Sequence, residues 1–212
     1  MPAEPRRRAG AGAAAAAFGL AAATSLALLA LLAPRQALAQ EAAKPLPQLI
    51  ASCTACHGPD GNAQNPQWPS IAGQPRIFIE NQLVIIREGL RDVPTMKAVM
   101  GPLTDADIAA LARHYSAQPK VPMATAVRQA QRLRGAEISR RALCGTCHLA
   151  DYTGQNQVPR LAGQNEPYLL HSLKQFRDHA GPGRDTIMSA TLLGMSDRDL
   201  EDLAHYFAVS RP

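Results

Sequence analysis

Apolar residues recur along the chain in two matching sets. Ile79, Leu83 and Ile86 stand at the i, i+4, i+7 spacing of an amphipathic helix, and Leu169, Leu173 and Phe176 repeat it. Farther on, apolar positions 108, 111, 112 and 115 in LTDADIAALARHY (103–115) are matched by 200, 203, 204 and 207 in MSDRDLEDLAHYF (195–207), at an offset of 92. Each of these segments opens with a capping hydroxyl, Thr104 or Ser196, and an acid three residues on, the signature of a helix N-terminus. No run of alternating apolar residues is convincing in either half, so no strand is predicted.

The repetition extends beyond the helices. WPSIAGQ (68–74) returns as VPRLAGQ (158–164) at an offset of 90. Each half therefore reads as a small all-α unit of about 80 residues: helix, cysteine cluster, loop, helix, methionine-containing loop, helix. AQPKVPMATA (117–126), with two prolines and no periodicity, reads as a short semi-rigid connection. Units this small hold few large apolar groups and commonly need a metal or another staple at their centre.

The first 39 residues are expected to be absent from the folded protein. Arg6, Arg7 and Arg8 precede an Ala- and Leu-rich run that closes with Ala37-Leu38-Ala39, the form of a cleaved secretory signal. An uncleaved membrane anchor is the alternative reading of the same stretch. Removing residues 1–39 lowers the net charge from +5 to +2. With acids and bases interspersed there is no basic stripe of the kind nucleic-acid binding needs, and that class is excluded. The expected organisation is a signal peptide at 1–39, a first domain at 40–118, a linker at 119–126 and a second domain at 127–212.

All four cysteines lie in two clusters, Cys53-Thr-Ala-Cys56-His57 and Cys144-Gly-Thr-Cys147-His148, 91 residues apart. In an exported chain disulfides are the first thought, but the histidine after each pair points elsewhere. C-x-x-C-H is the haem-attachment signature: two thiols one helical turn apart add across the two vinyl groups, and the adjacent imidazole faces the iron. A zinc knuckle would want two further ligands per site, and a redox dithiol has no use for the histidine. Two covalent haem c groups are therefore expected, on Cys53 and Cys56 with His57, and on Cys144 and Cys147 with His148.

From about Gln40 onward these residues resemble a class I cytochrome c duplicated in tandem, and are similar to the two-haem cytochromes c-four. The motifs that carry the resemblance are both C-x-x-C-H clusters, His57-Gly58-x-x-Gly61, the two P-x-[IL]-A-G-Q segments, and the methionine segments followed by LTDAD and MSDRD. It implies an all-α fold of two units, each a few helices wrapped round one haem, with His/Met ligation and an electron-carrier role. It also implies that the carbonyls of Pro69 and Pro159 accept the second nitrogen proton of His57 and His148. Two departures stand out: Leu149 occupies the place of Gly58, and the helix before Cys53 is short and hemmed by Pro45 and Pro47.

Aligning the halves on Thr104 and Ser196 places Met96 opposite Met188, Met100 opposite Leu192 and Met195 opposite Leu103. Only the first pair is methionine twice; the others exchange with leucine, as packing sites do. The resemblance puts the ligand methionine at that same offset, so Met96 and Met188 are the expected distal ligands, with Met100 the substitute in the first half. His114, His171, His179 and His205 match no such pair, although His179 lies near the second methionine segment. Trp68 is expected to pack near the first haem.

Filled axial positions leave no vacancy for oxygen or peroxide, and a thioether ligand raises the potential. The function implied is a periplasmic electron carrier, not an enzyme, between a quinol-oxidising complex or dehydrogenase and a terminal oxidase or reductase. Its partners would be redox proteins, periplasmic or membrane-bound, with no nucleic acid and no small-molecule substrate. A haem subunit dedicated to one oxidoreductase and a di-haem peroxidase are the alternatives.

Overall fold

Residues 44–179 and 181–211 are described by the structure, a computed structural model. Among them are nine helices: α1 Leu46–His57, α2 Arg76–Arg87, α3 Pro94–Met100, α4 Asp105–Ser116, α5 Gln129–Arg141, α6 Cys144–His148, α7 Glu166–Asp178, α8 Thr186–Leu192 and α9 Asp197–Val209. No strand occurs among the described residues beyond one isolated bridge between Gln155 and Val158. None of these helices is long and apolar enough to cross a membrane. The expected signal at 1–39 lies outside the described residues.

The closing helices start where the sequence places them. Thr104 accepts from the Asp107 N–H while the Asp107 carboxylate accepts from the Thr104 N–H, and Ser196 and Asp199 do the same. Their apolar stripes are buried: Ile108, Leu111, Ala112 and Tyr115 on α4, and Leu200, Leu203, Ala204 and Phe207 on α9. Two separate cores result. Leu49, Ile79, Ile86 and Met100 gather on the α4 stripe, and Ile138, Leu169, Leu173 and Leu192 on that of α9. One arginine per half ties its middle helix to the closing one. Arg87 donates to Leu103 O and pairs with Asp105 at 2.8 Å, and Arg177 donates to Met195 O and pairs with Asp197 at 2.7 Å.

The methionine segments are helices rather than loops. Proline at the first turn starts α3 without needing a donor, and the Asp185 carboxylate caps α8 by accepting from the Met188 N–H at 2.9 Å. Seven residues are too few for a 3.6-residue period to repeat visibly.

The two halves differ at their first helices. α5 starts at Gln129 and crosses α9 closely at Gly135, where a Cβ would stand 2.1 Å from the Asp202 carbonyl oxygen. Arg134 grips the Asp202 carboxylate across the same crossing with two bonds of 2.6 and 2.8 Å. α1 starts only at Leu46, after Pro45, and lacks that long crossing. α5 also breaks before its cysteines, where Leu143 takes a left-handed conformation (φ 56°, ψ 32°), so the second cluster forms its own short helix. The connection between the halves is pinned: Asn62 donates to Pro119 O and accepts from the Val121 N–H.

Candidate haem sites

In the first half, Cys53, Cys56 and His57 share the last turns of α1. The helix stops because Gly58 turns to φ 77°, its N–H still bonded to Thr54 O. His57 is buried, and its Nδ1 lies 2.8 Å from Pro69 O. A carbonyl only accepts, so Nδ1 carries the proton and Nε2 keeps its lone pair. The second half repeats this: His148 ends α6, is buried, and places Nδ1 2.8 Å from Pro159 O.

Burial lowers the pKa of both imidazoles, with the proline carbonyls working in the opposite sense and, at His148, the Asp185 charge as well. Each ring is therefore held neutral, as a metal ligand must be. The proline loops are themselves fixed. Ile71 and Ala72 donate to Gly61 O, and Leu161 and Ala162 donate to Tyr152 O. Gly73 and Gly163 reach the closing helices, bonding Tyr115 O and Phe207 O at 3.0 Å.

Around His148 an apolar cavity is lined by Cys144, Cys147, Leu173, Met188 and Phe207 among others. One methionine and the imidazole thus border a single space. In the first half Met96 and Cys53 pack against one core, in which Met100, 1% exposed, is fully enclosed. The Tyr115 hydroxyl is buried in that core and has no hydrogen-bond partner among the described residues. Two free thiols, one neutral imidazole and an apolar wall fit a covalently held haem. They do not make a zinc cage, since among the described residues no three His, Cys, Asp or Glu side chains converge.

The spare histidines lie elsewhere. His205 is fully buried, with Nδ1 bonded to Glu166 and Nε2 accepting from the Arg128 N–H, so it ties α9, α7 and the start of α5 together. His114 stacks edge-on against Tyr115, and His171 and His179 are exposed. Trp68 is 36% exposed, and its carbonyl accepts from Asn165 Nδ2 at 2.7 Å. Gln74, Gln164 and Asn165, all buried, join the two halves, and their partners lie 86 to 97 residues away. The repeated AGQ held the signal for the glutamines, but nothing local says what they bind.

The cytochrome c family model matches residues 133–208, and a model described as cytochrome c oxidase, cbb3-type, subunit III matches residues 41–114. Cytochrome c4 of Pseudomonas aeruginosa is 32% identical over 165 residues, spanning 74% of this chain and 82% of that protein. The chain belongs to the cytochrome c4 family. A crystal structure of reduced recombinant cytochrome c4 from Pseudomonas stutzeri superimposes with a TM-score of 0.71 at 28% identity, covering 80% of this chain and 100% of that one. A protein named thiosulfate dehydrogenase electron acceptor, from Thiomonas intermedia, is 30% identical over 76% of this chain and 80% of its own length. Like other cytochromes c4, the chain is an all-α, di-haem electron-transfer protein of the class I cytochrome c fold, and it carries two covalent haem c groups.

Proposed function

We propose that this cytochrome c4 is a periplasmic electron carrier, released from a signal peptide at 1–39, with haem domains at 40–118 and 127–212 joined by 119–126. It takes electrons from a quinol-oxidising complex or dehydrogenase and passes them to a terminal oxidase or reductase. Haem c, when bound, supplies one-electron chemistry between ferric and ferrous iron. Cys53 and Cys56 hold one group and Cys144 and Cys147 the other. His57 and His148, with Met96 and Met188, would supply the protein ligands to the two irons. Pro69 and Pro159 keep each proximal ring in the tautomer that leaves Nε2 for the metal.

The observation that supports this reading is that His148 and Met188 line one apolar cavity. With a histidine and a methionine of the chain as its ligands, each iron would leave a substrate no place to coordinate, which favours outer-sphere transfer over peroxide chemistry. Purified protein is expected to hold two haems per chain by pyridine haemochrome assay and mass, and to show the methionine-to-iron charge-transfer band when oxidised. One haem per chain, or rapid peroxide turnover, overturns the reading.

The relative from Thiomonas intermedia favours a second reading, a haem unit dedicated to one dehydrogenase. Retention of a single oxidoreductase through purification in mild salt would select it.

A further inference from the structure

Pro69 O and Ser70 N belong to one planar peptide. Its carbonyl accepts from His57 Nδ1 at 2.8 Å, while its N–H donates to Gln164 Oε1, from the other half, at 2.8 Å. Gln164 closes the grip by donating from Nε2 to Ser70 O at 2.8 Å. The arrangement recurs in reverse. Pro159 O accepts from His148, the Arg160 N–H donates to Gln74 Oε1 at 2.9 Å, and Gln74 Nε2 donates to Arg160 O at 3.0 Å. The two carboxamides are the last residues of the two repeated segments, and each is 4% exposed.

A peptide whose N–H is engaged is polarised, and its carbonyl becomes a better acceptor. A stronger acceptor on Nδ1 makes the imidazole a more basic ligand. We infer that Gln164 and Gln74 are positioning residues acting in trans: each, through the peptide after a proline, tunes the proximal histidine of the opposite half. The inference rests on His57 and His148 being the proximal ligands.

The two grips are unequal. Asn165 adds a third tie to the first loop, donating from Nδ2 to Trp68 O at 2.7 Å, and its N–H holds Gln164 Oε1 at 2.9 Å. Pro75 stands at the matching place in the first half and offers neither bond. Ser70 is also buried where Arg160 is only half-buried. The His57 side therefore depends more on its grip.

The test uses the di-haem protein with 15N-labelled histidine, reduced so that both irons are diamagnetic, together with redox titration of each haem. In the wild type the two Nδ1–H signals must belong to ligated rings; if they do not, the ligand assignment fails and not this inference. Gln164→Met keeps the length of the side chain and removes both bonds. It is expected to move the His57 Nδ1–H resonance upfield, speed its exchange with solvent and shift that haem to a more positive potential, leaving His148 unchanged. Gln74→Met is expected to do the reverse with a smaller shift, and stands in should Gln164→Met not fold. Gln164→Glu keeps the acceptor for the Ser70 N–H while losing the donor to Ser70 O. A carboxylate there is expected to hold the His57 haem at or below its wild-type potential. Equal shifts at both haems, a shift only in the half that bears the substitution, or no shift, overturn the proposal.

Discussion

Gly58 and Leu149 hold the same backbone conformation, φ 77° and ψ 162° against φ 68° and ψ 161°. Each follows the histidine of its cluster and ends its helix. This region is almost exclusive to glycine, and a side chain held there costs about 1–3 kcal/mol. Replacing Leu149 with Gly relieves that cost and gives back roughly 0.5–1 kcal/mol in chain entropy. A net gain of about 1 kcal/mol in the second half is expected from thermal or denaturant unfolding of the holo-protein. Gly58→Ala is expected to lose stability, because the added Cβ would also stand 2.4 Å from Asn62 O.

Much of this was legible in the sequence because the repeat prints it twice. The capped helices α4 and α9, their buried stripes and the two cysteine clusters follow from local chemistry that spacing displays. The helices α3 and α8 were hidden by their shortness. Leu143 breaks α5 in a left-handed turn at a leucine, a residue type that does not announce one. The grips of Gln74 and Gln164 were hidden for another reason: a carboxamide names no partner, and theirs lie in the other half.

Asp107 shows how the chain after the expected signal is fastened. Its buried carboxylate accepts from the Lys44 N–H at 2.7 Å and pairs with Lys44 Nζ at 3.2 Å while capping α4. Burial pushes its pKa up, but bonds from Thr104 and Lys44 outweigh it and hold the carboxyl at about 2. A depressed carboxyl stabilises fully above its unfolded value near 3.8, and the contribution is lost as pH falls through about 2. Asp107→Asn is expected to cost about 1–2 kcal/mol at neutral pH. In denaturant titrations the difference from wild type should shrink between pH 4 and 2; a gap unchanged over that window refutes the assignment.

Gly135 sets the distance between α5 and α9. A methyl there meets Asp202 O at 2.1 Å and Tyr206 Cβ at 2.6 Å, backbone and a packed side chain that have little room to move. Overpacking of this kind costs about 1–3 kcal/mol or more, against a helix-propensity gain of up to about 1. Gly135→Ala is expected to lower the unfolding midpoint and leave the first half's spectrum unchanged. An unchanged or raised midpoint would show that the crossing is looser than its geometry.

Met96 and Met100 stand four residues apart on α3 with opposite surroundings. Met100 is 1% exposed within the first core, and Leu192, 2% exposed, fills the matching place in the second. Met96 is partly exposed at the edge of its core, as is Met188 where it borders the cavity with His148. Exchange with leucine is the behaviour of a packing residue, whereas a ligand cannot give up its sulfur. Met96→Ala is expected to remove about half of the 'methionine-to-iron' band, since one of two haems loses its thioether. Met100→Ala is expected to keep the whole band and lose about 2–5 kcal/mol of stability to the cavity it leaves. Loss of the band in Met100→Ala with retention in Met96→Ala would transfer the ligand role to Met100.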